Sequence, residues 1–350
     1  MKKRILAALT AGCLAVSLAG CGGAGSSAAA DTGEAAQTPA ETETAESPAA
    51  GDAAADGYTI GICQQQPHEA LDAATQGFKD ALVEAFGEDG VSFDEQNAQG
   101  DSNTCSTIIN GFVSGGYDLI MANGSSALQA AAAGTADIPI LGTSVTEYGV
   151  ALGIDGFDGT VGGNVSGTSD LAPLDQQAQM LADFFPADQY PTVGMLYCSA
   201  EPNSAYQVEQ VTNYLTEMGY TVEDYSFSDS NDLATIATNA STSCDVIYIP
   251  TDNTAASNTE IIQNICLPAG VPIIAGEQGI CSGCGVATLS ISYYDLGYAT
   301  GEMAVKVLTG EADISAMPIE YAPNFTKMYN PGNCEELGIT VPDDYVAIEE

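Results

Sequence analysis

Residues 244–256 read CDVIYIPTDNTAA, an apolar run followed by a polar turn and then by small residues. Residues 117–131, YDLIMANGSSALQAA, show the same order of features. A short apolar run that leads into a helical pattern is typical of a buried strand in a parallel sheet. The two stretches therefore predict two equivalent strand–turn–helix units, one in each half of the chain.

The equivalence extends beyond these two stretches. TVGMLYC at 192–198 resembles TIGIC at 59–63, and GVPIIAGEQ at 270–278 parallels DIPILGTSV at 137–145. Both pairs are separated by 133 residues (192 − 59 and 270 − 137). A repeat of this length indicates a duplicated domain rather than a solenoid. We predict an α/β protein with two similar open parallel-sheet lobes, each resembling a Rossmann domain.

The first half alternates between strand and helix patterns. Apolar or β-rich runs predict strands at 58–63, 91–98, 117–123 and 138–145. Helical patterns are predicted for 69–85 and 101–113, and from Ser125 onward.

The N-terminal region predicts export. Residues 1–20 have a positive start, an apolar centre and small residues at the end, as secretory signal peptides do. Leu18-Ala19-Gly20-Cys21 resembles the lipobox of bacterial lipoproteins, which implies cleavage before Cys21 and a lipid on its sulfur. Residues 21–56 are mostly Ala, Gly, Ser, Thr, Glu, Asp and Pro, with no aromatic residue, which predicts a flexible tether. We expect a protein anchored by lipid alone to the outer face of the cell membrane.

Three segments rich in Gly, Ser or Pro are candidates for a hinge between the lobes. They are NVSGTSDLAP at 164–173, SGCGVATLSIS at 282–292 and ISAMPIEYAP at 314–323. The predicted lobe 1 comprises residues 57–167 and 288–316, and the predicted lobe 2 comprises residues 168–287 and 317–350.

The charge balance excludes one class of partner. The chain holds 47 Asp and Glu against 6 Lys and Arg. Without residues 1–20, Lys79, Lys306 and Lys327 are the only Lys or Arg left, and the formal net charge is 3 − 47 = −44. Nucleic acid is excluded because phosphate binding needs Lys and Arg. A ligand carboxylate would have to be held by backbone N–H groups and hydroxyls.

The candidate binding residues lie in polar turns that follow the predicted strands. Ligands of open parallel sheets bind at the carboxyl ends of the strands, where helix N-termini offer unpaired N–H groups. Helix capping is the alternative interpretation for the pairs 252–253 and 125–126. The candidates are Gln65, His68, Asn123, Ser125, Ser126, Ser144, Thr146, Ser199, Asn203, Asp252, Asn253 and Glu277.

Several motifs carry a family resemblance. HEALDAATQGFKDAL, QNAQGDSNT, GGNVSGTSDLAP, PTDNTAAS, AGEQG and YYDLGYATGEMAVKVLTGEA run in this order from His68 to Ala312. They resemble the solute-binding lipoproteins of ABC importers with the type I periplasmic-binding-protein fold, in particular the aromatic amino acid-binding, TrpX-like family. The resemblance implies a receptor that closes two lobes on its ligand and delivers it to ABC permease and ATPase subunits.

The same resemblance implies roles for individual residues. Hydroxyls of Ser125, Ser126 and either Ser144 or Thr146 would hold the ligand carboxylate. Asp252 or Glu277 would hold the ammonium group, and Asn253 would complete the polar clamp. No cofactor, metal or catalytic group is expected, since a single histidine leaves little to build a hydrolase triad from.

Two alternatives stay open. The same fold could bind another small solute, such as a nucleoside, sugar or peptide, although the lack of Trp and of Arg after residue 20 disfavours sugars. A thiol-redox lipoprotein could use Cys281 and Cys284 as a reactive C-x-x-C pair. Eight cysteines remain after Cys13 and Cys21, and the sequence does not decide between disulfides and free thiols.

Overall fold

The computed structural model describes residues 57–349, which form two parallel-sheet lobes. The predicted signal peptide, Cys21 and the tether lie outside the described residues. Lobe 1 has a sheet with the strand order β11-β5-β4-β3-β1-β2, and lobe 2 has a sheet with the order β13-β12-β10-β9-β8-β6-β7. All neighbouring strands are parallel except the pair β10 and β12. The predicted fold class is confirmed.

The first nine elements build most of lobe 1. They are β1 Tyr58–Gln64, α1 Glu69–Phe86, β2 Val91–Asn97, α2 Ser102–Gly115, β3 Leu119–Asn123, α3 Ser125–Gly134, β4 Ile140–Val145, α4 Tyr148–Leu152 and β5 Val165–Ser169.

Lobe 2 follows with the same alternation. Its elements are α5 Leu174–Phe184, β6 Thr192–Cys198, α6 Pro202–Glu217, β7 Thr221–Phe227, α7 Ser230–Ser243, β8 Val246–Ile249, α8 Asn253–Ala256, α9 Thr259–Cys266, β9 Ile273–Ala275, α10 Gln278–Cys284 and β10 Ala287–Ser290.

Of the remaining elements, the first three complete lobe 1 and the last three complete lobe 2. They are α11 Tyr293–Leu308, a 3-10 turn Ile314–Ala316, β11 Glu320–Tyr321, β12 Thr326–Tyr329, α12 Pro331–Leu337 and β13 Val346–Ala347.

Helices cover both faces of each sheet, which is why the central strands are apolar throughout. In lobe 1, Leu119 and Met121 of β3 face the same core as Phe78 of α1. The intervening Ile120 faces the opposite core, with Phe112 of α2. Every residue of β3 and β4 is buried. Burial on both faces removes the polar alternation that a half-exposed strand would show.

The chain passes between the lobes at 170–173, 291–292 and 322–325, slightly later than predicted at each crossing. Val165–Ser169 and Glu320–Tyr321 pair with each other in the sheet of lobe 1. Ala287–Ser290 pairs with β9 in lobe 2. The predicted lobe limits after 167, 287 and 316 are therefore each a few residues too early. The error has a physical cause, because VSGTS and ATLS are buried strands made of small and hydroxyl residues that look like linkers in sequence.

Helices α1 and α11 pack unusually closely on lobe 1. A Cβ atom added to Gly297 would lie 1.9 Å from the carbonyl oxygen of Ala74, and one added to Gly77 would lie 2.1 Å from that of Tyr294. Glycine at these two positions therefore lets the helix backbones touch.

Candidate functional site

The polar turns of the two lobes face each other across a cleft, and side chains bridge it. His68 Nε2 lies 3.1 Å from Asn253 Oδ1. Nearby, Ser257 Oγ donates to the carbonyl oxygen of Pro67 at 3.2 Å. His68 and Pro67 follow β1 in lobe 1, whereas Asn253 and Ser257 belong to the α8 region of lobe 2. The lobes are therefore in contact at this rim of the cleft.

The turn PTDNT at 250–254 is organised by two buried carboxylates. Glu201 Oε2 accepts from Asn253 N at 3.1 Å, and Glu201 Oε1 accepts from Thr254 N at 2.9 Å. Asp252 Oδ1 accepts from Ala255 N at 2.8 Å, and its Oδ2 accepts from Cys198 N at 2.7 Å. The first three N–H groups of α8 are thus occupied by the protein itself, so capping is the observed role of Asp252.

Burial changes the pKa of the Asp252 carboxyl group in this turn. Burial raises the pKa of Asp252 to about 7, and the charge of Glu201 adds to the rise. The backbone N–H groups of Cys198 and Ala255 oppose it. The predicted role of Asp252 as the ammonium ligand stays a prediction, but both of its oxygens already accept hydrogen bonds.

Most polar groups of the turn after β3 also form hydrogen bonds within the protein. Gln65 Oε1 accepts from Ser126 N at 2.8 Å. Asn123 Nδ2 donates to Leu71 O at 2.8 Å. Ser125 is buried at the start of α3. Gln65 and Asn123 therefore fix the turn, and the roles of the Ser125 and Ser126 hydroxyls in holding a carboxylate stay predictions.

Ser144 and Asp170 form the part of lobe 1 with unused polar atoms. Ser144 has a φ of 53°, a left-handed conformation that is costly for a serine and often marks a functional site. Asp170 follows β5 and is anchored beside β4 by a hydrogen bond from its N–H to Val145 O at 3.3 Å. Tyr293 OH donates to Asp170 Oδ2 at 3.0 Å. Thr146 lies against the same carboxylate and is buried.

Six buried side-chain atoms have no hydrogen-bond partner within residues 57–349. They are His68 Nδ1, Asn123 Oδ1, Ser144 Oγ and Asp170 Oδ1 in lobe 1, and Asn203 Oδ1 and Thr288 Oγ1 in lobe 2. Buried polar atoms are normally paired, so each of these atoms calls for a partner, such as water or a ligand, beyond the side chains around it. Burial raises the pKa of Asp170 to about 6, while Thr146 and Tyr293 oppose the rise.

The remaining candidates of lobe 2 have clear structural roles. Glu277 caps α10 by accepting from Gly279 N at 2.6 Å and from Ile280 N, and burial raises its pKa to about 7. Ser199 is exposed and donates to Phe227 O at 3.1 Å. Asn203 Nδ2 donates to Thr251 O at 3.1 Å.

A cavity of about 310 Å³ lies between the two lobes, and Ser144, Asp170, Asn203 and Glu277 are not part of its wall. Lobe 1 contributes Gln65, Gln99 and Ser126 to its wall, and lobe 2 contributes Glu201 and Thr254. Its volume is within the usual range for small-molecule sites.

Carboxylates dominate the charge of the cleft. Lys79 pairs with Glu95 at 2.9 Å and Lys327 with Asp344 at 2.7 Å, both at the surface, while Lys306 lies in the last turn of α11. Asp170, Glu201, Asp252 and Glu277 are all buried. A cleft of this composition favours a ligand that carries a positive charge.

Asp170 and Glu201 were missed by sequence reasoning. Asp170 lies inside GTSDLAP, which was interpreted as a hinge and as part of a family motif but not as a binding residue, and Glu201 precedes the Pro202 that begins α6. The available signal for Asp170 was its position as a lone acidic residue in a segment that was predicted to cross between the lobes.

The cysteines contradict the thiol-redox alternative. All eight cysteines of residues 57–349 are free and buried. Cys281 and Cys284 lie together in α10, where burial raises the pKa of both thiols well above the ordinary value. A reactive thiol needs the opposite, an accessible sulfur with a lowered pKa. In the same residues, no group of three or more His, Cys, Asp or Glu side chains is placed to hold a metal ion.

The family model described as ABC transporter substrate binding protein matches residues 59–349, which is nearly the whole described body. The chain belongs to this family. Substrate-binding proteins of ABC transporters are extracytoplasmic, bind small molecules and work with the other transporter subunits. No helix of residues 57–349 is long and apolar enough to cross a membrane.

Several characterised proteins are similar to this substrate-binding protein. A tyrosine-binding protein of Clostridioides difficile (strain R20291) is 36% identical over 255 residues, which cover 72% of this chain and 73% of the relative. The crystal structure of a Streptococcus pneumonia ABC domain in complex with L-Trp is 32% identical, covers 82% of this chain and 96% of its own, and has a TM-score of 0.77.

A third relative indicates the conformation of the substrate-binding protein. The ligand-free, open structure of a substrate-binding protein with adhesive properties from Clostridium difficile is 36% identical and covers 83% of this chain and 100% of its own. Its TM-score is only 0.63, below that of the less identical L-Trp complex. The lobes of this chain are therefore arranged more like those of the complex, in agreement with the contacts across the cleft.

Proposed function

We propose that the protein captures an aromatic L-amino acid as a zwitterion and presents it to an ABC permease. The observation that carries this proposal is Asp170, a buried carboxylate with one unpaired oxygen in a cleft without Lys or Arg. A primary ammonium group would supply the missing donor. Such a charge-assisted hydrogen bond contributes about 1.5–3 kcal/mol.

Hydroxyl groups of lobe 1 bind the carboxylate of the ligand. Ser144 is the first candidate because its Oγ is buried and unpaired and because its left-handed backbone is held in place despite the strain. Ser125 and Thr146 are buried at neighbouring strand ends and can assist it. The aromatic side chain is inferred from the relatives that bind tyrosine and L-Trp.

Thermal melting with matched ligands tests this function. We expect L-tyrosine at 100 times its Kd to raise the Tm of the body (residues 57–350) by about 5–10 °C, since such binding adds about 2.7 kcal/mol. Tyramine lacks the carboxylate and 3-(4-hydroxyphenyl)propionate lacks the ammonium group, so each should give a much smaller shift. A shift with a nucleoside or a sugar alone would retain the receptor role and refute the amino-acid ligand.

The lipid anchor is the second part of the proposal. The sequence around Cys21 supports lipidation at that sulfur, which would keep the receptor close to its permease. We expect Cys21→Ala to move the protein from the membrane fraction to the medium or to leave it uncleaved, as measured by fractionation and intact mass. A membrane-bound, normally cleaved Cys21→Ala protein would contradict lipid anchoring at this residue.

A further inference from the structure

The contact between His68 Nε2 and Asn253 Oδ1 joins the two lobes, while the other ring nitrogen, His68 Nδ1, is buried without a partner within residues 57–349. His68 is the only histidine of the chain. Its Nε2 lies 3.1 Å from Asn253 Oδ1, and this is a side-chain hydrogen bond between the two lobes. The hydrogen bond from Ser257 Oγ to Pro67 O lies on the same rim. Both bonds exist only when the lobes are together.

Glu201 determines how the two side chains are oriented. Asn253 Nδ2 donates to Glu201 Oε2 at 2.7 Å. An ionised carboxylate only accepts hydrogen bonds, so the amide nitrogen of Asn253 must face Glu201 and its oxygen must face His68. His68 therefore carries its proton on Nε2. Burial lowers the pKa of His68, which favours the neutral ring, although the bond to Asn253 and the charges of Glu201 and Asp72 oppose this.

The same carboxylate holds Asn253 in place. Glu201 also accepts from Asn253 N, from Thr254 N and from Thr254 Oγ1, at 2.7–3.1 Å. These bonds leave Asn253 Oδ1 as a fixed acceptor at the edge of lobe 2. The turn PTDNT thus acts as a rigid docking point rather than as an open helix N-terminus.

We propose that His68 and Asn253 form a latch that stabilises the closed state, with Glu201 as the positioning residue. The ligand affinity of a two-state receptor depends on the fraction of molecules in the competent conformation. Removing the latch lowers that fraction and weakens the binding of every ligand by the same factor. His68 acts on affinity through closure and not through contact with the ligand.

Two amide substitutions separate this role from direct ligand contact. The amide nitrogen of glutamine reaches about as far as Nε2 of histidine, whereas that of asparagine reaches only as far as Nδ1. His68→Gln can therefore still donate to Asn253 Oδ1, and His68→Asn cannot. His68 Nδ1 is buried without a partner in residues 57–349, so a direct contact with the ligand would use this atom instead.

The affinity of each variant for L-tyrosine and L-tryptophan gives the first readout. We expect His68→Gln to stay within about twofold of the wild type and His68→Asn and His68→Ala to lose about fivefold, the factor that one net hydrogen bond represents. The loss should be equal for both ligands. If His68→Asn kept full affinity while His68→Gln lost it, the ring would contact the ligand and the latch would be refuted.

The interlobe distance gives a second readout that needs no ligand. Spin labels on Asn110→Cys in α2 and Thr235→Cys in α7 of the body (residues 57–350) would report the closed and open populations, because both positions are exposed and the eight native cysteines of residues 57–349 are buried. The closed-to-open ratio of the ligand-free protein should fall about fivefold in His68→Asn, and the affinity falls by the same factor when the open state predominates without ligand. An unchanged ratio would overturn the proposal. The affinity measurement rests on the proposed function, whereas the distance measurement needs no ligand. A failure of the latch can therefore be distinguished from a failure of the proposed function.

Discussion

Replacing Asp170 by asparagine is expected to reduce the affinity for L-tyrosine about 100-fold, since it leaves a buried ammonium group without its charged partner. Asparagine keeps the size of the side chain and can still accept the hydrogen bond from Tyr293 OH. The loss should therefore appear in calorimetric titration without a comparable loss of folding stability. Asp175→Asn, in the first turn of α5 and exposed, is the matched control and should bind like the wild type.

The pH dependence of binding is a second test of the same assignment. Asp170 must be ionised to pair with an ammonium group, and its pKa in the free protein is about 6. Wild-type affinity should therefore fall by up to about tenfold per pH unit below pH 6. The folding stability of the ligand-free protein changes with pH in the opposite direction. It falls as the pH rises from about 4 to about 6, because the pKa of Asp170 is higher in the folded protein than in the unfolded chain. Asp170→Asn should lose this acid dependence of binding. If Glu277→Gln removed binding and Asp170→Asn did not, the ammonium site would be at Glu277.

Gly297→Ala is expected to lower the free energy of unfolding by about 2–3 kcal/mol, although alanine is the better helix former. The added methyl group would lie 1.9 Å from the carbonyl oxygen of Ala74. A backbone atom of a packed helix cannot move aside as a flexible side chain can, so α11 must shift away from α1. Urea denaturation followed by circular dichroism would measure the change.

Gly111→Ala is the control for this prediction. Gly111 lies inside α2, and a Cβ atom added there would meet no atom within 4 Å. This substitution should stabilise the protein by up to about 1 kcal/mol through helix propensity alone. Equal effects of the two alanines would show that α1 and α11 are not in tight contact.

The fold was predictable because its signals are local. Apolar runs such as 119–123 and 246–249 identify buried strands, and the spacing of 133 residues identifies the duplication. The crossings were less predictable. Val165–Ser169 is a buried strand without an apolar run, because its small hydroxyl residues pack against the hinge region, where Ser166 Oγ donates to Met317 O at 3.1 Å.

The site region predicted at the carboxyl ends of the strands stays a prediction, and the structure decides only how its turns contact one another. The turns at 199–204 and 251–254 are joined by hydrogen bonds such as that from Thr254 N to Glu201 Oε1. Asp252 and Glu277 were expected to bind an ammonium group, yet both use their oxygens to cap α8 and α10. Capping and ligand binding require the same residue types, so composition could not separate them.

The two-lobed α/β architecture and the acidic character could be predicted from the sequence alone, because they follow from short apolar runs, from the internal repeat and from composition. Which buried carboxylate oxygen lacks a donor could be seen only in the folded chain. The deciding contacts join residues far apart in the chain: Asp170 with Tyr293, Glu201 with Asn253, and His68 with Asn253, separated by 123, 52 and 185 positions. Whether a buried oxygen already has a donor depends on such partners, and no local pattern encodes them.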